Sequence, residues 1–220
     1  MKTMEGKKVL ITGGLGFIGS NLARKCVKLG AKVTIFDCLD PRSGGNLYNI
    51  AGIADSVQVA YHNILDFDQV SQVVPEKDII FSCASSTSHA FSMREPWIDS
   101  DVNSKGVINL LEAVRRFNQE AKFVHLGTST QLGKLSYQPA DEKHPEFPTD
   151  IYSANKSVSE KYTLIYSKAF NICSTVIRLS NVFGPRACIH SSEFTFNNYF
   201  IHVLFSSINL WIYFSTYFSR

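Results

Sequence analysis

The chain has 220 residues, and its 22 Lys and Arg residues outnumber its 19 Asp and Glu residues to give a formal net charge of +3. Hydrophobic residues make up 45% of the sequence and charged residues 19%. This balance excludes disorder, collagen and a coiled coil as descriptions of the whole chain, and the charge is too small to indicate a nucleic-acid partner.

Short apolar segments alternate with helical patterns along the first 180 residues. A β-branched run at 8–12 ends in glycines, apolar residues recur at helical spacing over 17–29, and a second apolar run covers 32–36. The same patterns predict strands at 57–61, 78–83, 122–126 and 174–179 and helices at 67–74, 97–117 and 152–169. Strands separated by helices lie parallel with right-handed crossovers, so we predict an α/β fold with a doubly wound parallel sheet of six strands.

The cysteines and the N-terminus bear on the cellular compartment. The chain has five cysteines, an odd number with no Cys-x-x-Cys pair, which argues against a disulfide framework and against a zinc site. Residues 1–8 are mostly polar and lead directly into the first predicted strand, so no signal peptide is expected. We therefore expect a cytoplasmic protein without a metal site.

The composition changes after Glu193. Residues 194–219 contain no Gly, Pro, Ala, Lys, Arg, Asp or Glu and are rich in Phe, Tyr, Ile, Asn and Ser. A membrane helix needs about 20 predominantly apolar residues, and polar residues interrupt this segment throughout. We consider an aberrant end from frameshift, splice variation or read-through, a buried or oligomer-contacting helix, and, least favoured, a membrane anchor at 199–218.

A glycine-rich segment joins the first predicted strand to the first predicted helix. Gly13 permits a tight turn, Gly16 lets the backbone approach a pyrophosphate, and Gly19 allows helix and strand to pack closely. The N-terminus of the helix offers free N–H groups to phosphates. The expected cofactor contacts of this segment are Gly13, Gly16, Phe17, Ile18 and Gly19.

An acidic residue stands at the end of the second predicted strand. Asp37 follows Gly13 by 24 residues, a spacing at which a carboxylate can accept hydrogen bonds from the adenosine ribose hydroxyls. A carboxylate there disfavours a 2′-phosphate, so NAD is preferred over NADP. Arg42 lies near enough in sequence to leave NADP open.

A tyrosine and a lysine four residues apart indicate a catalytic pair. Tyr152 and Lys156 share one face of a predicted helix. A neighbouring ammonium and a cationic nicotinamide ring both favour the phenolate, so we expect a lowered pKa and a role for Tyr152 as general base. Upstream, Thr128 lies in a hydroxyl-rich segment that follows a predicted strand and could hydrogen-bond a substrate; the alternative is a loop cap or a hydroxyl-stabilised turn.

The chain resembles the extended short-chain dehydrogenase/reductase family in five features that occur in the family's order. They are the glycine segment, Asp37, Thr128, the Tyr152/Lys156 pair and the run Arg-Leu-Ser-Asn-Val-Phe-Gly-Pro-Arg at 178–186. Within that family the chain resembles the nucleotide-sugar epimerases and dehydratases over about residues 7–190. The resemblance implies a Rossmann fold and NAD. It also implies that Tyr152 is the catalytic base, that Lys156 lowers its pKa and holds the nicotinamide ribose, and that Thr128 polarises the sugar hydroxyl.

The resemblance implies further ligand contacts. Asn103 matches a cofactor-side asparagine, and Asn181 matches a residue near the diphosphate of the nucleotide sugar. Asn63, followed by Ile64, stands on the adenine side where the family usually has an aspartate, and we expect both residues to contact the cofactor. His89 follows the fourth predicted strand, and for it a loop position with a local hydrogen bond is favoured over contact with substrate.

The residues after Thr128 bear on the reaction. Dehydratase members usually carry an Asp-Glu pair there, whereas this chain has Ser129 and Thr130. The resemblance therefore favours a UDP-glucose 4-epimerase-like enzyme, with a nucleotide sugar, expected to be a UDP-hexose, as its substrate. The alternatives are a nucleotide-sugar 4,6-dehydratase and a truncated, noncatalytic NAD-binding protein.

The resemblance also implies a domain organisation. Residues 1–186 correspond to an NAD-binding domain that includes the catalytic helix, and 187–220 to a remnant of the family's smaller substrate domain or to an aberrant end. Most of that substrate domain is expected to be missing. Family members are often homodimers, and the same is expected here.

Overall fold

A computed structural model describes residues 3–187 and the backbone of Ser215–Phe218. The strands are β1 (Lys8–Thr12), β2 (Lys32–Asp37), β3 (Val57–Tyr61), β4 (Ile79–Ser82), β5 (Lys122–Thr128), β6 (Ser174–Leu179) and β7 (Ser215–Phe218). The helices are α1 (Phe17–Lys28), α2 (Phe67–Val73), α3 (His89–Arg94), α4 (Pro96–Ser100), α5 (Gly106–Phe117) and α6 (Ile151–Phe170).

The strands form one sheet in the order β3-β2-β1-β4-β5-β6-β7. The first six are parallel, as predicted, and β7 pairs antiparallel with β6. The strand order reverses between β1 and β4, and ligands of open α/β sheets bind at the carboxyl ends of the strands at such a point. The other residues of 188–220, on which the alternatives for the C-terminal segment mainly fall, lie outside the described residues.

Both faces of the sheet are covered, because successive side chains of a strand point to opposite faces. On β1, Leu10 joins a buried cluster with the apolar residues of α5, whereas Val9 and Ile11 join a second cluster with Leu15 and Ala23. All five residues are fully buried. The near-continuous apolar strands predicted for a doubly wound sheet are explained by this double burial.

The segment after β4 differs from the prediction. The single helix expected over 97–117 consists of α4, one π-helical turn at Asp101–Lys105 and α5. The helix α3 was not predicted; Ser88 caps it by accepting a hydrogen bond from the Phe91 N–H at 2.8 Å. Pro96 then begins α4 at its first position, where a missing N–H costs nothing. Among the described residues no helix is long and apolar enough to cross a membrane.

A nearly buried ion network joins α6 to β6. The guanidinium of Arg178 on β6 donates to both carboxylate oxygens of Glu160 on α6, at 2.9 and 2.7 Å, and to Glu146 at 2.7 Å. Gln131 donates to Glu160 at 2.8 Å, and Lys161 pairs with Glu146. The side chains of Arg178 and Glu160 are only 12% and 5% exposed, so each charge depends on the other for solvation.

Replacement of Arg178 by Met should lower the free energy of unfolding by about 3 kcal/mol, because it leaves Glu160 buried without its cation. The matched control is Arg116→Met, whose guanidinium is half exposed in its pair with Glu112; it should cost less than about 1 kcal/mol. Urea unfolding of the three proteins measures both values. Equal losses in the two variants would contradict this account of the network.

Candidate functional site

The glycine segment forms a tight turn against the chain that follows β4. Gly13 has φ +66°, and a Cβ there would lie 2.8 Å from the backbone of Ala84. A Cβ on Gly19 would lie 2.2 Å from the carbonyl oxygen of Gly13. Both positions therefore exclude a side chain: Gly13 because of the tight turn that the sequence predicted, and Gly19 because α1 packs on the turn itself.

Gly16 differs from its neighbours because its Cβ direction is open. Only the Gly13 carbonyl oxygen, at 3.3 Å, would lie near a Cβ on Gly16. Gly16 also caps α1, where no side chain caps the helix and no acidic residue stands in the first turn. The backbone N–H groups around Phe17 and Ile18 are thus exposed to an anion, which the positive end of the helix dipole favours.

Asp37 holds the turn from the adjacent strand. One of its carboxylate oxygens accepts from the Leu15 N–H at 3.0 Å, and the other accepts from the Leu39 N–H at 2.9 Å. Each oxygen keeps a second lone pair for a ligand. Arg42 is bound by Asp40, which accepts from its Nε at 2.9 Å and from its terminal nitrogen at 2.6 Å.

The three other residues expected near the cofactor have different surroundings. Asn63 is exposed, and its Oδ1 accepts from the Leu65 N–H at 3.0 Å. Ile64 is buried against Gly106. Asn103 is 1% exposed, and its amide is bonded to Ser85, Ser86 and Asp99. Asn103 therefore holds the segment after β4 in place, and any effect on a ligand would act through that segment.

The N-terminus of α6 is fixed by two other parts of the chain. Asp150 caps the helix by accepting from the Ser153 N–H at 2.8 Å. The Tyr152 N–H donates to the hydroxyl of Ser92 on α3 at 3.0 Å. One turn later, the ammonium of Lys156 donates to the Leu126 carbonyl of β5. These bonds hold Tyr152 and Lys156 on the face of α6 that lies over the carboxyl end of β5.

Hydroxyl groups connect this end of β5 to α6. Thr128 and Thr130 lie 3.1 Å apart through their hydroxyl oxygens, and Ser153 donates to Thr130 at 2.9 Å. The hydroxyl of Thr128 also lies close enough to the phenol of Tyr152 to lower its pKa. Thr128 therefore both caps a short 3-10 turn at Ser129–Leu132, the structural alternative considered above, and contacts Tyr152.

The groups that the protein itself supplies do not lower the pKa of Tyr152, so the expected lowering is wrong for the protein without NAD. Burial is the main cause that raises the pKa of Tyr152 to about 12; Asp99 and Asp150 act in the same direction, and Thr128 opposes them. Burial lowers the pKa of Lys156 to about 8. The ammonium is directed at Leu126, so it does not offset the burial of the phenol.

Two further residues complete the comparison with the sequence. His89 is not in a loop: it begins α3, its Nδ1 lies 2.8 Å from Oδ2 of Asp150, and its ring meets the Tyr152 ring edge-on at 4.7 Å. No sequence signal indicated this contact, since His89 and Asp150 are 61 residues apart. Asn181 is exposed in the segment after β6. Within the described residues no group of three His, Cys, Asp or Glu side chains could hold a metal ion.

Comparison with known proteins identifies the family. Residues 10–203 match the family model described as GDP-mannose 4,6 dehydratase. The chain belongs to this family. The resemblance to nucleotide-sugar epimerases and dehydratases of the extended short-chain dehydrogenase/reductases is thereby confirmed, since the relatives include enzymes of both kinds.

Three relatives illustrate the range of reactions among the proteins that this chain resembles. The chain is 31% identical to a dTDP-glucose 4,6-dehydratase of Streptomyces niveus, over 81% of this chain and 54% of that protein. It resembles the UDP-N-acetylglucosamine 4-epimerase of Methanobrevibacter ruminantium M1, solved with UDP-N-acetylmuramic acid, at TM-score 0.84 and 28% identity, over 90% of this chain and 63% of the other. For the dTDP-glucose 4,6-dehydratase of Bacillus anthracis with NAD, the TM-score is 0.75 and the identity 27%, over 84% and 58%. The chain spans 54–58% of the length of curated relatives.

The buried amine of Lys156 should make stability depend on pH. Its pKa is about 8 in the folded protein against 10.5 as the ordinary value. The unfolded chain therefore binds more protons between these values, and wild-type stability should rise with pH across that window by about 3 kcal/mol. Lys156→Met removes the cost of burying the charge, so the variant should be more stable than the wild type at pH 7.5. This difference in the free energy of unfolding should shrink as the pH rises to 10. A constant difference between the two proteins in urea unfolding would show that folding does not lower the pKa of Lys156.

Proposed function

We propose that the chain carries the cofactor and catalytic part of an NAD-dependent nucleotide-sugar epimerase. The observation that carries the proposal is that Thr128, Tyr152 and the buried amine of Lys156 come together at the carboxyl end of β5. A phenol and a hydroxyl at one point can bind a sugar hydroxyl from two sides. Relatives of both reaction classes in the family support a nucleotide sugar as the substrate, and a UDP-hexose is the first choice.

The residues present fit NAD. The open cradle at Gly16, the first-turn N–H groups at Phe17 and Ile18, and the close packing at Gly13 and Gly19 suit a pyrophosphate. Asp37 would hold the ribose hydroxyls. Because Asp40 engages Arg42 through both carboxylate oxygens, the one cation considered for a 2′-phosphate is already paired, which favours NAD over NADP. NAD is bound in the dehydratase of Bacillus anthracis.

The remaining cofactor contacts follow from position. Asn63 and Ile64, after β3, would border the adenine, and Lys156 would reach the nicotinamide ribose when its ammonium leaves the Leu126 carbonyl. Tyr152 would border the nicotinamide ring. Asn181, after β6, would lie toward the diphosphate of the sugar nucleotide.

In the proposed mechanism, bound NAD supplies an acceptor and donor for the hydride of the sugar C4. Tyr152 takes the proton of the C4 hydroxyl as that carbon is oxidised, and Thr128 holds the hydroxyl in line. Lys156 supplies a positive charge that favours the phenolate. Tyr152 returns the proton after the 4-keto sugar has turned over, so atoms and electrons balance over one cycle.

Epimerisation is preferred over dehydration because of the side chains that follow Thr128. Ser129 and Thr130 carry no acid for abstraction of a carbon-bound proton. The next residue, Gln131, is fully buried and bonded to Glu160. Glu160 and Glu146 are both held by Arg178. The 4,6-dehydratase reaction stays the alternative, since the family model carries that description.

We also propose that residues 1–186 act as one NAD-binding unit, that 187–220 belongs to the sugar-binding side of the whole protein or is an aberrant end, and that the protein is a homodimer. Size-exclusion chromatography with light scattering measures the oligomeric state.

The deciding experiment separates the reaction classes. Purified protein is analysed for bound nucleotide, loaded with NAD and incubated with UDP-, GDP-, CDP- and dTDP-hexoses. A product of unchanged mass and altered configuration supports the epimerase, and a product lighter by one water supports the dehydratase. Bound NAD without turnover of any sugar would support the noncatalytic NAD-binding protein instead.

Tyr152→Phe should lower kcat by a factor of about 10² to 10⁴, since general base catalysis contributes rate factors of that size. NAD content and thermal stability should be unchanged. The matched control is Tyr162→Phe on the same helix, which should retain full activity. A Tyr152→Phe variant with normal turnover would exclude Tyr152 as the base.

Gly16→Ala should fold normally, because its φ of −76° suits alanine and only one atom lies near the new Cβ. The methyl group would enter the cradle, and NAD affinity should fall at least tenfold in fluorescence titration. Gly19→Ala should differ by losing stability as well, since its Cβ would overlap the Gly13 carbonyl. Full NAD affinity in Gly16→Ala would place the pyrophosphate elsewhere.

A further inference from the structure

His89 and Asp150 form an oriented pair beside Tyr152. The Nδ1 of His89 lies 2.8 Å from Oδ2 of Asp150, and the imidazole and phenol rings meet edge-on with centroids 4.7 Å apart at 71°. The side chain of His89 is 48% exposed, whereas that of Asp150 is 16% exposed. The imidazole of His89 is therefore held by Asp150 on one side and is exposed to solvent on the other.

Asp150 is itself fixed by its role as helix cap. Its Oδ1 accepts from the Ser153 N–H at 2.8 Å, which leaves Oδ2 for His89. Although burial raises the pKa of Asp150, the hydrogen bonds from Ser153 and His89 hold it below its ordinary value. A carboxylate at Nδ1 fixes the ring orientation and places the proton on Nδ1. The Nε2 atom is then presented in one direction, and no described residue hydrogen-bonds it.

Docking of α3 does not require the imidazole. Ser92, which is fully buried, accepts from the Tyr152 N–H at 3.0 Å and donates to the His89 carbonyl at 2.7 Å. This hydroxyl already joins the backbone of α3 to the start of α6. The packing of α3 on α6 therefore does not explain why His89 is half exposed, with Nδ1 bonded to Asp150 and with no hydrogen bond to Nε2 among the described residues.

We propose that His89 contacts the substrate, with Nε2 forming a hydrogen bond to a hydroxyl of the sugar that lies at Tyr152, and that Asp150 positions the imidazole for it. The inference rests on the proposed function and adds a specificity-determining residue to it. A sugar hydroxyl both donates and accepts, so it suits the free nitrogen in either protonation state. The pair therefore selects sugars that carry a hydroxyl at the position facing α3.

The variants separate contact from packing. His89→Phe keeps the ring edge against Tyr152 and removes both nitrogens. Asp150→Asn keeps a residue that caps helices well but removes the charge that orients the imidazole. Arg94→Ala, on the same helix and exposed, is the control.

Calorimetric titration of NAD-loaded protein with UDP-glucose measures the effect. Loss of one hydrogen bond to the sugar should weaken UDP-glucose binding about five- to tenfold in His89→Phe, with a smaller loss in Asp150→Asn and none in Arg94→Ala. Affinity for NAD should be equal in all four proteins. In the wild type, the Nε2 resonance of His89, identified by its absence from His89→Phe in ¹⁵N NMR, should shift when UDP-glucose is added.

The outcomes distinguish the two proposals. Equal UDP-glucose affinity in wild type and His89→Phe, with no shift of the Nε2 resonance, would overturn the role of His89 and leave the proposed function intact. If the wild type binds NAD but neither UDP-glucose nor any other hexose nucleotide, the proposed function fails and the inference fails with it. Should His89→Phe not fold, His89→Gln takes its place in identifying the resonance, and the NMR titration of the wild type decides.

Discussion

The positive charge of Arg178 lies beneath the helix that carries Tyr152, and the arrangement of the site depends on how that charge is neutralised. Glu160 and Glu146 enclose the guanidinium. Glu160 belongs to α6, Arg178 to β6 and Glu146 to the segment before α6. The charges are therefore neutralised only when these three parts of the chain pack together. Gln131 joins the same network and extends it to the turn that begins at Thr128. The ion network thus connects β6 and α6 to the turn that follows Thr128.

The pKa values of the two ionisable groups of the site are shifted by the same physical cause. Burial disfavours the charged form of each, which raises the pKa of the Tyr152 phenol to about 12 and lowers that of the Lys156 amine to about 8. The carboxylates of Asp99 and Asp150 add to the shift of the phenol. Proton removal by Tyr152 therefore needs positive charge close to the phenol. Lys156, now bonded to the Leu126 carbonyl, lies on the same helix face and could supply it.

The sequence predicts the parts of the molecule whose causes are local. The glycine turn, the first βαβ unit and the six parallel strands follow from periodicity, from glycine geometry and from the requirement that crossovers be right-handed. Helix α3 could not be predicted in this way, because six residues carry too little periodic signal and the helix is stabilised by Ser88 and by contact with α6. The raised pKa of Tyr152 in the protein without NAD could not be predicted for a related reason: the residue spacing shows the ammonium four positions away, but only the fold shows the burial.

The choice between the two reactions of the family depends on which carboxylates are free to act. Several carboxylates of the described residues lie on or beside α6 and are already engaged by hydrogen bonds: Glu146 and Glu160 with Arg178, Asp150 with Ser153 and His89, and Asp99 with Asn103 and Asn155. Asp99 keeps one oxygen without a partner among the described residues, but it is fully buried. A dehydration needs an acid or base that reaches a sugar carbon, whereas an epimerisation needs only the phenol at one hydroxyl and a cofactor that returns the hydride. The proposed preference for epimerisation therefore depends on these carboxylates staying engaged when a nucleotide sugar is bound.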